Sequence, residues 1–432
     1  MLPLAAATYF MVSGGPYGIE DILDAGYVRA LVLLLALPLL WSIPTALMIG
    51  ELASALPDEG GFYVWVRRAL GPFWGYQEAW LSLTASIFDM AIYPTLFVLY
   101  LGRLAPAWAA GWHGAAWELG LIALCCAWNL LGAPAVGDGS MGLFVLLLSP
   151  FVVLVGFAIS RGAHLAHTAV PAATAHAGLT TAILVAMWNY MGWDNASTVA
   201  REVDRPQKNY PRAMLLSSLI VTVSYVIPLA AMAYARVPVD QFSTGSWAVV
   251  AGSMAGAWLG VAIVVGGTLT SLGMFNALTM SYARLPMVLA EDGMLPGILA
   301  RKNRRGVPWV AVLACAAAWA LALPFSFERL ISLDLILYGA SLILEFVALV
   351  LLRLREPHLE RPFRAGNFTA ACLMGAAPTA LIVYAAFASR HERMGRMPAL
   401  LLGALIAAAG PLLYRISTVL WTRGAASVAA AD

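Results

Sequence analysis

Two aspartates, Asp89 and Asp194, stand inside apolar stretches of this chain. Asp89 is flanked by Ile87, Phe88, Met90 and Ile92, and Asp194 follows the run 179–191. A carboxylate in hydrocarbon costs on the order of 3 kcal/mol on insertion scales, so it normally faces a cavity or a partner. There it can do one of two things: hold a cation or exchange a proton. Tyr93, one turn after Asp89, offers a hydroxyl or an aromatic face to the same cation. The plainer alternatives are a structural hydrogen bond for Asp89 and capping of a short helix for Asp194. Glu20 and Asp21 form a third acidic point, able to attract a cation or, for Glu20, to pack against a neighbouring span.

Backbone supplies the complementary chemistry. Ser13, Gly14 and Gly15, followed by Pro16, interrupt the first apolar run, because glycine and proline cannot sustain a regular helix there. Broken backbone inside a bilayer is tolerated only where it is buried in protein or lines a cavity. The freed amides of Ser13, Gly14 and Gly15 suit a carboxylate; the alternative is a glycine kink for close packing. A second interruption spans 188–195, where Asn189, Gly192, Asp194 and Asn195 are poor helix formers and Trp188, Tyr190 and Trp193 lie alongside.

The elements that must position these residues are membrane spans. Hydrophobic residues make up 61% of the 432 positions and charged residues 11%, where a soluble domain carries about a quarter charged. The fold class expected is an all-α polytopic membrane protein with twelve spans. They fall near 1–24 (broken), 28–55, 73–101, 116–133, 139–160, 179–203 (broken), 212–235, 254–283, 308–324, 329–352, 367–387 and 397–420. A short amphipathic segment is expected at 60–71. Breaks in spans one and six point to two inverted five-span repeats with a site at the midplane. The predicted units are 1–160, 161–355, and 356–432 for spans eleven and twelve with a short tail.

With both termini cytoplasmic, about two thirds of the 25 lysines and arginines fall on the cytoplasmic side. Net charge of +2, without a dense basic tract, argues against nucleic acid. The lipid bilayer is the environment expected, and the alanine-rich composition points to the inner (cytoplasmic) membrane of a GC-rich bacterium. Residues 1–4 lack the basic stretch of a signal peptide, so the first run is expected to be retained. The six histidines are read as lying in connecting segments. The four cysteines have no metal or redox spacing, and no metal or cofactor is expected. Glu345 is expected to pair with Arg353 or Arg355 or to snorkel, with a coupling role as the alternative, and Glu51 and Glu202 to meet arginines as an inner gate, the alternative being a purely topological role.

Several motifs resemble the amino acid–polyamine–organocation transporter superfamily. Residues 200–213, with Glu202, Pro206, Pro211, Arg212 and Ala213, look like its E-x-x-x-P-x-x-x-x-P-[RK]-A loop. Residues 57–63 with 69–72 resemble its first cytoplasmic loop, and 282–296 with 306–308 the loop after span eight. Stretches 12–21, 41–44, 69–75, 89–94 and 361–364 look most like the plant and protozoan polyamine-uptake branch. The resemblance implies a secondary transporter importing an amino acid or polyamine by alternating access, coupled to a proton or to sodium, with exchange or a non-transporting sensor as alternatives. It implies a gating aromatic six positions before an acid in the broken sixth span, which Trp188 and Asp194 satisfy, with Trp193 as a second gate. Substrate contacts would be Ser13, Gly14, Gly15, Asp89, Tyr93, Asn189, Tyr190, Gly192 and Asp194, and Asp194, Asp89 and Glu20 the coupling acids. Some proton-coupled relatives carry a lysine in span five; residues 140–160 contain none, so coupling through such an amine is excluded.

Overall fold

A computed structural model describes residues 2–165, 178–394 and 396–422. His167 and His176, and the side chain of Glu202, lie outside what is described. Among the described residues the regular elements are helices, apart from a two-residue antiparallel pair at Arg393–Met394 and Met397–Pro398. Its helices are α1 (Leu2–Val12), α2 (Tyr27–Ala55), α3 (Phe62–Leu70), α4 (Pro72–Leu104), α5 (Gly111–Asn129), α6 (Ala133–Leu165), α7 (Leu179–Trp188) and α8 (Pro206–Tyr234). They continue with α9 (Trp247–Ala255), α10 (Ala257–Tyr282), α11 (Arg284–Glu291), α12 (Trp309–Ala320), α13 (Phe327–Arg355), α14 (Phe368–Met374), α15 (Ala376–Ala388) and α16 (Ala399–Ser417).

Eight helical segments among the described residues are long and apolar enough to cross a bilayer. The other four expected spans correspond to the pairs flanking the two breaks and to the shorter α5 and α12. Both interruptions are present. α1 stops at Val12, where Gly15 and Gly18 adopt positive φ of 73° and 82°, a region open to glycine at little cost. The chain resumes as a 3-10 turn at Glu20–Ala25. α7 stops at Trp188, Gly192 turns the chain at φ 90°, and a 3-10 segment, Trp193–Glu202, follows.

Burial separates a centre from a rim. The apolar window of α4 is 72% buried and that of α16 only 17%, so α4 belongs to the core and α16 to the edge. α1, the 3-10 segment after the second break, α4, α10 and α13 surround the middle of the molecule. On the face where α1 begins (the N-terminal face), α3 runs as the amphipathic helix expected between spans two and three, with Phe62, Trp65 and Val66 buried and Arg67 and Arg68 outward. His113 and His164 depart from the sequence reading: they lie in the first turn of α5 and the last turn of α6 rather than in connections.

Candidate functional site

The two breaks meet. Asn189 Nδ2 donates to the Gly18 carbonyl at 3.3 Å, and a Cβ on Gly192 would lie 2.5 Å from the Met11 carbonyl oxygen. Between them lies a small enclosed cavity lined by Met11, Val12, Asp89, Tyr93, Trp188, Asn189, Met191, Gly192, Met274 and Tyr282. It leaves about 10 Å³ for the centre of a water molecule, roughly one water's room. The conformation is therefore closed around the site.

Asp89 is the acid on the cavity wall. Its Oδ1 accepts from Tyr93 Oη at 2.7 Å and its Oδ2 from Tyr282 Oη at 3.2 Å. Asp194 sits one layer behind. Its Oδ1 accepts from Tyr338 Oη at 2.5 Å, and that oxygen in turn accepts the Gly192 N–H at 3.0 Å. The Gly192 turn thus separates Asp194 from the cavity. Tyr190 points away, donating to the Leu34 carbonyl at 2.8 Å, and Trp193 donates to the Tyr190 carbonyl at 2.7 Å. Neither lines the cavity.

Trp188 forms the roof toward the far face. Its ring packs edge-on against Phe327, lies 6.4 Å from Tyr93, and covers Gly18. Above it, Glu20 is wholly buried and accepts three hydrogen bonds, from Tyr100 Oη at 2.6 Å, Gly18 N–H at 2.8 Å and Gly245 N–H at 2.9 Å. Glu20 thereby ties the first break to α4 and to the loop before α9, away from the cavity. Toward the N-terminal face the floor is thinner. A vestibule of about 440 Å³, lined among others by Ala7, Asp138, Val199, Asp204 and Met280, reaches to within one turn of α1 from Met11.

The amides at the first break are mostly committed. Ser13 N–H donates to the Tyr9 carbonyl, Gly15 N–H to Ser13 Oγ at 3.0 Å, and Gly18 N–H to Glu20. Gly14 is held through its carbonyl, which accepts from Thr270 at 3.0 Å. Of the three amides expected to receive a carboxylate, two are already bonded within the protein.

Two acids escaped the sequence reading. Asp334 on α13 is fully buried, and neither carboxyl oxygen has a hydrogen-bond partner among the described residues; it lies within electrostatic reach of Asp89 and Asp194. Glu78 on α4 is equally buried, bonded only to Ser82. Their signal was present: Asp334, Tyr338, Ser341 and Glu345 share one face of α13, and Glu78, Ser82 and Asp89 one face of α4. The pairing expected for Glu345 is corrected. Arg353 binds Glu51 and Arg355 donates to the Ala69 carbonyl, leaving both Glu345 oxygens without a partner. The arginines lie two or more turns beyond Glu345, nearer the N-terminal face, where loop carbonyls and Glu51 engage them. Glu51 also pairs with Arg361 at 3.3 Å and accepts the Ala365 N–H at 2.8 Å.

Comparison with known proteins places these features in context. A family model described as amino acid permease matches residues 6–406. The chain is 37% identical to polyamine transporter PUT1 of Oryza sativa subsp. japonica, over 88% of this chain and 72% of that protein. It is 32% identical to polyamine transporter RMV1 of Arabidopsis thaliana, over 98% and 86%. The serine/threonine exchanger SteT of Bacillus subtilis (strain 168) is 27% identical over 73% of this chain and 74% of its own length.

Proposed function

The chain belongs to the amino acid permease family and is a membrane transporter rather than an enzyme, and within that frame we propose that it imports a polyamine by proton-coupled alternating access. Twelve spans in two inverted five-span repeats (1–160 and 161–355), followed by 356–432, would carry the motion, with both termini and the vestibule cytoplasmic. The observation that carries the substrate reading is the pairing of an acidic wall with spent amides. Asp89 faces the cavity with no lysine or arginine among the described residues lining it, so it suits an ammonium group. The first break has little left to offer a carboxylate. A cation without a carboxylate fits both facts, and the likeness to two polyamine transporters supports the same class.

Thermal melting of the purified protein tests this directly. A ligand that binds only the folded form at about 100 times its Kd adds about 2.7 kcal/mol of stability. Diamines and longer polyamines should raise the melting temperature, and neutral amino acids should not. A larger rise with a neutral amino acid would overturn the substrate assignment. Exchange is the second reading, favoured by similarity to an exchanger; acceleration of efflux by external substrate would reveal it.

A further inference from the structure

We propose that Glu345 and Glu78, facing each other across the α4–α13 seam, form a proton relay between the central site and the N-terminal face. This rests on the transport reading above and assigns its coupling route. The seam begins at the cavity. Asp89 and Asp334 stand at one level, Asp194 hangs on Tyr338 one turn further along α13, and Glu345 follows seven residues after Tyr338. Glu78 lies eleven residues before Asp89, about 16 Å along α4. It is six residues, about 9 Å, from the helix start at Pro72 on the N-terminal face. Glu345 lies within electrostatic reach of both Asp194 and Glu78, which makes it the link between the two levels.

Glu345 and Glu78 are completely buried. Among the described residues, both oxygens of Glu345 and one of Glu78 lack a hydrogen-bond partner, the other Glu78 oxygen accepting from Ser82 at 2.7 Å. The groups facing Glu345 are Asp194, Glu78 and Tyr338. Charged residues on the other helices against α13 are engaged elsewhere or point out. Glu51 on α2 holds Arg353 and Arg361, Arg67 and Arg68 on α3 hold Asp292 and Glu356, and Arg415 on α16 is exposed. α7, α14 and α15 carry no charged residue. Unpaired carboxylates in such a medium are strongly disfavoured, and several side by side more so. The seam therefore holds protons, and groups that hold a proton without a fixed partner can pass it on. The sequence starts at the N-terminal face: the Glu78 O–H bond breaks and one forms on a water, giving hydronium and a Glu78 carboxylate. The Glu345 O–H then breaks as one forms at Glu78, and the Asp194 O–H breaks as one forms at the Glu345 carboxylate so left. Tyr338, Ser341 and Ser82 supply hydroxyls along the way.

The experiment reconstitutes wild type, E345Q and E78Q into vesicles with the membrane potential clamped. Radiolabelled putrescine counterflow, putrescine accumulation under a pH gradient, and proton flux by a trapped dye are measured together. One pH unit can sustain about a tenfold gradient per coupled proton. Wild type should approach that ratio, whereas E345Q and E78Q should equilibrate putrescine without concentrating it, lose the proton flux, and keep counterflow. Glutamine removes a proton site without stranding a partner, and if E345Q fails to fold, E78Q carries the same expectation. Proton flux in both folded variants equal to wild type overturns the relay. Wild-type accumulation driven by sodium without proton flux also overturns it while leaving transport standing. Absence of putrescine counterflow in wild type overturns the transport reading itself.

Discussion

Asp89→Asn isolates the charge on the cavity wall. The wild-type carboxylate accepts from Tyr93 at 2.7 Å and from Tyr282 at 3.2 Å. Asparagine keeps one carbonyl oxygen for one tyrosine, while its NH2 cannot accept from the other. The folded protein should therefore lose about 1 kcal/mol, the usual net worth of one hydrogen bond. A bound ammonium loses more, because a hydrogen bond to a charged group contributes about 1.5–3 kcal/mol. That converts to a rise in Kd of about 10- to 150-fold for a diamine. Neutral amino acids should bind too weakly in either protein for the substitution to be read with them. Isothermal titration on purified protein reads the diamine Kd of both, and the melting temperature without ligand checks the fold. Asp194→Asn is the built-in comparison. Asp194 sits behind Gly192 and touches Tyr338 rather than the cavity, so its effect on affinity should be the smaller. A folded Asp89→Asn variant with unchanged diamine affinity, or a larger loss from Asp194→Asn, would refute this assignment of the wall.

Glu51→Ala should lower the melting temperature sharply, by about 3–5 kcal/mol of stability, because Arg353 and Arg361 would be left buried without their shared counter-charge; a loss no larger than that of an exposed substitution would show the pair to be unimportant. Glu20→Gln can keep Tyr100 and Gly245 on its one carbonyl oxygen, but its NH2 then faces the Gly18 N–H, which goes unmet. It should favour opening toward the far face by roughly 1–3 kcal/mol, read as faster labelling of a cysteine introduced at the buried Leu96 beside Gly18; unchanged labelling would count against Glu20 as a latch. Glu356 has its carboxyl held below the usual value by the Arg68 guanidinium. A lowered folded-state pKa stabilises above the unfolded value and is lost as pH falls through the folded one. The melting difference between wild type and Glu356→Gln should thus be small, salt-sensitive and present at neutral pH, and should vanish below about pH 4; a difference that grows on acidification would contradict the pairing.

Much of this architecture could be read from residues alone, because broken helices leave a local mark. Gly14, Gly15 and Pro16, and later Asn189 and Gly192, announce the interruptions through backbone chemistry that needs no tertiary information. Apolar runs announce the helices with equal directness, and the short α3 follows from Arg67 and Arg68 opposite Phe62 and Trp65. Orientation about a helix axis was not legible in the same way. Asp89 and Asp194 are equally conspicuous acids, yet only tertiary packing decides that Tyr338 takes Asp194 behind the turn while Asp89 looks inward. Tyr190 and Trp193 adjoin the break in sequence and point elsewhere for that reason. Glu345 was matched to Arg353 by proximity along α13, but Glu51 from a distant helix competes for that arginine and wins through two-pronged geometry.

The positions that sequence could not orient are the ones that bear on coupling. A membrane carrier for a cation needs a negative wall that binds substrate in one state and releases it in the other. A permanently charged Asp89 would hold a diamine too firmly to let go, unless its charge were balanced during release. Asp334 and Asp194 lie within electrostatic reach of Asp89. A proton shared among the three would therefore weaken the grip on substrate, just as bound substrate would expel that proton. For the cationic substrate proposed above, the thin floor beneath Met11, facing a vestibule lined by Asp138 and Asp204, would offer a second acidic surface on the way out. The closed roof of Trp188 and the three-bonded Glu20 make return to the far face the costlier exit. On the import reading proposed above, direction would be set by the difference between one helical turn below the site and a buried, fully bonded latch above it.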